Sequence, residues 1–206
     1  RALRGPNLWS RHTAIEAIVA CAEHERSIDN LPGFEQRLRA RFPAIGELHP
    51  GGPSSPLTLA HILKKAALAM QAQAGCPVTF SRLSATMDPG VYQVVVEYSE
   101  EEVGRQAFAL AQSLVQAAQD DTAFDITAAI DQLRDTDESE RLGPSTGAIV
   151  EAAAARNIPW RRLTQGSLVQ FGWGSRQRRI QAAELDSTSA VAESIASSIS
   201  AHRART

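Results

Sequence analysis

One long apolar stripe constrains the fold of this chain more than any other feature. Segment 57–75, "LTLAHILKKAALAMQAQAG", repeats apolar residues at the spacing of one helix face. The residues of this stripe are Leu59, Ile62, Leu63, Ala66, Ala67 and Met70. Gly75 follows as a suitable C-terminal stop, because glycine readily adopts the left-handed conformation that ends helices. The pattern therefore predicts one amphipathic helix that ends at Gly75.

Strand-like segments precede and follow this helix. Segments 76–86 and 91–99 have strand composition and are joined by the turn sequence "MDPG". Segment 13–21, "TAIEAIVAC", fits a strand or a helix, and its β-branched residues favour a strand. Segment 99–119, "SEEEVGRQAFALAQSLVQAAQ", predicts an amphipathic helix with Ser99 as its cap and acidic residues at its positive end. With further helices predicted from 31–43 and 125–135, the front of the chain is predicted to be an α+β domain.

The acidic segment 135–146, "DTDESERLGPST", predicts a domain boundary. After it the pattern changes to helix, short turn, strand and hairpin, and a further helix is expected to be capped at Ser187 or Ser189. This order is typical of an α/β domain that needs more chain to close its sheet. Residues 198–206 have no apolar periodicity and are predicted to form a tail.

Composition excludes several classes of protein. The net charge is −2, from 21 basic and 23 acidic residues, and a general nucleic-acid binder would usually be clearly basic. Two cysteines suit a reducing compartment, and no apolar run has the roughly 18–20 residues of a membrane span. We therefore expect a cytoplasmic protein. The first residue is not methionine, so we also expect that the start of the chain has been trimmed.

Two candidate sites lie in the second half of the chain. Ser145 and Thr146 of "GPST" precede a predicted helix, where they could cap it or bind a carboxylate or phosphate beside its free N–H groups. Glu193, in "AVAESIA", could be an exposed helix residue or a ligand for a cationic group. The sequence "GWGSRQ" lacks the third glycine of a dinucleotide-binding loop and precedes a strand, which excludes that interpretation.

Basic residues offer further candidates. Arg178 and Arg179 lie on the second arm of the predicted hairpin, as a solvated edge or as part of an anion site. Three arginines alternate on a short predicted helix, either solvated, paired with glutamates, or gathered against an anionic partner. They are Arg37, Arg39 and Arg41. His61 lies one turn from Lys64 and Lys65, where a solvated helix edge is the favoured interpretation.

Five segments in order resemble the cyanophycin synthetase family. They are "RALRGPNLWS", "PGVYQVVVEYSEE", "LGPSTGAIVEAAAARNIPW", "SLVQFGWGSRQRRIQA" and "TSAVAESIA", and the similarity runs from Arg1 to about Ala196. Members of this family join an N-terminal domain, an ATP-grasp domain and a domain like the Mur ligases. They use ATP and Mg²⁺ to add aspartate to a polymer backbone and arginine to each β-carboxylate.

The resemblance implies a role for each site residue. Ser145, Thr146 and Glu193 match segments that border the end of the growing polymer, and a helix start suits its carboxylate while a glutamate suits its guanidinium. Arg178 and Arg179 could face the acidic polymer, or they could pair within the fold. At Lys64 and Lys65 many relatives have Glu-His, so no role of that pair is carried over.

The resemblance predicts a cyanophycin synthetase-like N-terminal domain at 1–141, a truncated ATP-grasp opening at 142–197 and a divergent tail at 198–206. The fold class is therefore an α+β domain followed by an incomplete α/β ATP-grasp opening. ATP and Mg²⁺ are expected in the full-length parent ligase but not on this fragment, which would bind polymer without catalysis and form a homo-oligomer. The alternatives are a stand-alone binding or assembly module and the front end of another ATP-grasp peptide ligase.

Overall fold

The computed structural model describes residues 1–3, 12–48, 56–164, 166–181 and 184–185. The chain divides into two compact units, Arg1–Ser139 and Glu140–Thr206, and each unit contains its own four-stranded sheet. The described part is thus mixed α and β, with five α-helices and two sheets. The assignments of 1–141, 142–197 and 198–206 to particular domains, and the ATP-grasp opening, stay predictions.

The first unit packs helices against one face of an antiparallel sheet. Its strands are β1 (Ala2–Leu3), β2 (Ala14–Ala20), β3 (Ser81–Ala85) and β4 (Val91–Glu97), in the order β1-β2-β4-β3. Its helices are α1 (Phe34–Arg41), α2 (Leu59–Ala74), α3 (Glu101–Asp120) and α4 (Ile126–Glu140). Val94 and Val96 of β4 pack into the core with the helices, so alternate residues of this strand form the buried face.

The predicted amphipathic helix is confirmed as α2. All six residues of its stripe are buried, and Ala66, Ala67 and Met70 are completely inaccessible to solvent. Gly75 ends the helix with a φ of 100°, in the left-handed region. Segment 14–20 is a strand, as its β-branched residues favoured, because it pairs along its whole length with β4.

One local prediction in the first unit is wrong. Ser99 does not cap α3: Glu100 is the N-cap residue without a side-chain cap, and the Ser99 hydroxyl is buried with no hydrogen-bond partner among the described residues. The two units divide between Ser139 and Glu140, inside the acidic segment 135–146 where the boundary was predicted, and α4 continues to Glu140. Its acidic end still follows the helical period, with Leu133 and Asp137 both on the buried face.

The second unit contains one helix and a sheet of short strands. Its elements are α5 (Pro144–Ala155), β5 (Trp160–Arg162), β6 (Val169–Phe171), β7 (Arg178–Gln181) and β8 (Glu184–Leu185). Consecutive strands pair antiparallel, which confirms the predicted hairpin, and Val150, Val169 and Ile180 form the small core. The helix expected after Ser187 or Ser189 lies outside the described residues. No helix in the described ranges is both long and apolar enough to cross a membrane.

Candidate functional site

Ser145 and Thr146 lie within the first turn of α5 instead of capping it. Gly143 is the N-cap residue, it makes no side-chain cap, and Pro144 occupies the first helical position. Proline is favoured there because the missing N–H would have no partner inside the helix. Ser145 is exposed, whereas Thr146 is only 2% exposed. The predicted cap is therefore wrong, and of the two hydroxyl residues only Ser145 is exposed for a ligand.

Arg178 and Arg179 project to opposite faces of the second sheet, because consecutive strand residues alternate. Arg178 pairs with Phe171 of β6, and Arg179 pairs with Gln170. Arg178 is exposed and donates to the carbonyl of Gln177 at 3.0 Å, while Arg179 is half-buried. The two arginines therefore do not form one patch. Glu193 lies outside the described residues.

A different arginine shares the face of Arg179. Gln170 is buried at 2% exposure, and its register partners on either side are Arg161 of β5 and Arg179 of β7. Arg161 lies with a guanidinium nitrogen 3.4 Å from the side-chain oxygen of Gln170. The sequence prediction missed this row because only strand register, which the sequence leaves open, brings Arg161 beside the hairpin.

The arginines of α1 mainly hold the end of α3. Arg37 Nε donates to the carbonyl of Ala118 at 2.7 Å, and Arg41 Nε donates to that of Thr122 at 2.7 Å. Arg41 also pairs with Asp121 at 2.9 Å. Cations suit a helix C-terminus, whose carbonyls lack partners within the helix and carry partial negative charge. Both residues thus have structural partners.

The third arginine of α1 is more exposed. Arg39 pairs with Glu35 one turn earlier, with a guanidinium nitrogen 2.8 Å from the carboxylate. Pairs of this kind on a helix surface contribute only about 0.3–0.5 kcal/mol, so they exchange readily with other partners. Of the three arginines considered for an anionic partner, Arg39 is therefore the one that the fold leaves most available.

Two carboxylates of the first sheet have partners within the fold. Glu97 accepts hydrogen bonds from the backbone N–H groups of Thr79 and Phe80, both at 2.7 Å. Glu16 lies 2.5 Å from Arg1 Nε and 2.6 Å from the amide nitrogen of Gln93. The hydrogen bond from Arg1 holds the pKa of Glu16 below its usual value, against the opposing effect of burial. These acids stabilise the sheet rather than offering a free anionic surface.

The lysine pair of α2 borders a pocket of about 230 Å³. His61, Lys64, Lys65 and Ser81 supply its polar groups, and apolar side chains line the rest. Burial lowers the pKa of Lys64, and the neighbouring charge of Lys65 lowers it further. The prediction of a fully solvated helix edge is therefore wrong for Lys64, which is half-buried.

Potential metal ligands do not cluster among the described residues. Among them, no group of three or more histidine, cysteine, aspartate or glutamate residues could hold a metal ion. The glycines of "GWG" lie in a turn between two antiparallel strands, rather than at a helix start where a phosphate loop would bind.

Comparison with known proteins identifies the family. Residues 17–120 match the family described as "Cyanophycin synthase-like N-terminal domain". The chain is 36% identical over 195 residues to a cyanophycin synthetase of Geminocystis herdmanii, covering 87% of this chain and 22% of the relative. Relatives of the same name from Trichormus variabilis, over 202 residues, and from Synechocystis, over 195, are also 36% identical. Each of these two alignments covers 22% of the relative, and they cover 90% and 87% of this chain, respectively.

The chain thus spans about a fifth of the length of these curated relatives. The family match alone covers about half of the chain, and it includes most of β2, the strands β3 and β4, and the helices α1, α2 and α3 of the first unit. The chain therefore belongs to the cyanophycin synthase-like N-terminal domain family.

Proposed function

We propose that this chain is the front part of a cyanophycin synthetase, the ATP-dependent ligase that polymerises aspartate and arginine. The observation that carries this proposal is the 36% identity over 195 residues, which extends beyond the family domain into the second unit. Because the matched region is 22% of each relative, the ligase chemistry is assigned to sequence outside this chain. ATP and Mg²⁺ would act there.

The proposed role of the chain itself is to hold the polymer. The carboxylate groups of such a polymer suit surfaces that present basic residues. Arg39, Arg178 and the row that contains Arg161 and Arg179 are the basic groups that support this role, and Ser145 offers a hydroxyl at a helix start. Holding one stretch of polymer raises the effective concentration of its reacting end near the catalytic domains without any new chemistry.

The cysteines and the net charge support a proposed compartment and a proposed partner for this chain. Cys21 and Cys76 are both buried thiols, which suits the reducing cytoplasm. A near-neutral charge supports a zwitterionic polymer as the partner rather than nucleic acid. We further propose that the chain acts within a homo-oligomer, so that several polymer-holding surfaces serve one growing chain.

A domain exchange tests this proposal. This chain would replace the aligned part of the Synechocystis cyanophycin synthetase, and a deletion of that part would be the control. We expect the exchanged enzyme to keep a low KM for polymer, while the deletion raises this KM with less effect on kcat, because uniform binding energy is lost. The proposal fails if the exchanged enzyme behaves like the deletion although both enzymes fold and bind ATP.

An assembly module is the second candidate, and an exposed apolar groove on the second unit favours it. Ile149 and Ile158 are 39% and 40% exposed, and with Phe171 they line a groove of about 420 Å³. Exposed apolar surface of this kind marks many interaction sites. Sedimentation with and without polymer separates the two roles, because an assembly module would self-associate without responding to polymer.

A further inference from the structure

The lysines of this chain are confined to one place. Nineteen of its 21 basic residues are arginine, and Lys64 and Lys65 are its two lysines. Both lie on α2 and line the 230 Å³ pocket together with His61 and Ser81. Leu57, Ile62 and Leu68 are among its apolar lining residues. The pocket therefore combines a short apolar wall with a concentrated positive charge.

The positive charge in this pocket is poorly balanced. Its described lining residues include no carboxylate, and Lys64 has no hydrogen-bond or ion-pair partner among the described residues. Lys65 donates to the backbone carbonyl of Glu47, whose carboxylate offsets part of its charge, while Arg39 adds to the repulsion. Burial followed by this repulsion lowers the pKa of Lys65. An anion that entered the pocket would relieve the repulsion.

The geometry of His61 adds a hydrogen-bond donor. Its Nδ1 accepts the backbone N–H of Thr58 at 3.3 Å and lies 3.0 Å from the hydroxyl of the same residue, which can donate to it as well. Burial, and then the charge of Lys64, lower the pKa of His61, which favours the neutral ring. Because Nδ1 accepts a hydrogen bond, the proton of the neutral ring lies on Nε2, so that nitrogen is the donor.

We propose that the pocket formed by His61, Lys64, Lys65 and Ser81 binds a carboxylate group that is attached to a short aliphatic stem. The ammonium groups, the imidazole N–H and the serine hydroxyl supply donors, and the leucine and isoleucine side chains contact the stem. The further identification of the ligand rests on the proposed function: it is the free α-carboxylate of an arginine branch on the polymer. A phosphate would accept hydrogen bonds from the same donors but would gain nothing from contact with the apolar wall.

Selective labelling of the lysines tests this inference. Reductive methylation with ¹³C-formaldehyde keeps their charge and gives NMR signals for Lys64, Lys65 and the α-amino group alone. The probes are two synthetic oligomers with an aspartate backbone, one with arginine branches and one with argininamide branches, which lack the carboxylate. We expect the arginine oligomer to shift the Lys64 signal and to raise the pKa of that lysine, because a bound anion stabilises its charged form.

The amide oligomer is expected to bind about tenfold more weakly, since hydrogen bonds to charged groups contribute about 1.5–3 kcal/mol. The Lys64→Gln variant should show a similar loss. Arg105→Gln is the matched control because Arg105 is an exposed cation that pairs with Glu101, and both residues lie on α3. Equal binding of both oligomers would overturn the carboxylate pocket but leave polymer binding intact. Binding of neither oligomer would overturn the polymer-holding function as well. If inorganic phosphate shifts the NMR signal of Lys64 as strongly as the arginine oligomer does, the choice of a carboxylate is overturned.

Discussion

Replacing Gly104 with alanine should destabilise the first unit, although Gly104 lies inside a helix. A Cβ atom built at this position would lie 2.5 Å from Cβ of Tyr98 and 3.2 Å from Cγ1 of Ile15. Cβ of Tyr98 is fixed directly to the backbone, so it cannot rotate away as the end of a long side chain can. The helix α3 would therefore have to move away from the sheet.

Two opposing terms set the magnitude. An alanine in a helix interior is about 0.8–1 kcal/mol more favourable than a glycine. Overpacking of a close-packed interior costs about 1–3 kcal/mol, and contact with a backbone-fixed atom places this case toward the upper end. We therefore expect a net loss of about 1–2 kcal/mol in the free energy of unfolding. For a unit of this size the loss lowers Tm by about 3–8 °C.

Gly147→Ala is the matched control, because this second helical glycine has space around it. Its added Cβ would have the backbone oxygen of Leu142 as its nearest neighbour, at 3.7 Å. This variant should gain about 0.5–1 kcal/mol. Amide hydrogen exchange in α3 and in α5 measures the stability of each unit separately. A Gly104→Ala protein whose α3 amides exchange as slowly as those of the original would refute the predicted clash.

Three further substitutions follow from the contacts described above. Glu97→Ala should cost about 2–3 kcal/mol in chemical denaturation, because it leaves two backbone N–H groups without their charged acceptor. An unchanged denaturation midpoint would contradict this. Arg41→Leu should cost about 1 kcal/mol and speed hydrogen exchange at the end of α3, where the guanidinium holds a carbonyl; unchanged exchange there would count against the cap. Glu16 has a lowered pKa in the folded state, so its contribution is present above the usual glutamate pKa and is lost as the pH falls through the folded value. Glu16→Gln should thus flatten the acid part of the stability profile, and an unaltered slope would exclude the proposed pairing.

The helices and strands of the first unit could largely be predicted because their signals are local. The apolar stripe of α2 and the glycine that ends it can be predicted from residue spacing alone, and both predictions are confirmed. The capping residue is harder to predict from the sequence, because it depends on the backbone angles at the helix start. Ser99 has the preferred residue type, yet the helix begins two residues later, at Glu101.

The candidate site was harder to predict because it depends on distant neighbours. Arg37 and Arg41 look like a basic patch in the sequence, but their carbonyl acceptors lie about eighty residues away, at the end of α3. Lys64 looks like a solvated residue beside a helix edge, and only the packing of β3 and the chain before α2 makes it part of a pocket. Long-range contacts of this kind leave no periodic signal in one sequence.

The measurement that tests the central claim most directly is the binding of purified chain to polymers of aspartate and arginine of increasing length. The account predicts saturable binding that strengthens with length, because a longer polymer reaches several contacts at once. It also predicts that binding weakens as salt screens the charges. A folded chain that binds no length of polymer, even at low salt, would contradict the polymer-holding role.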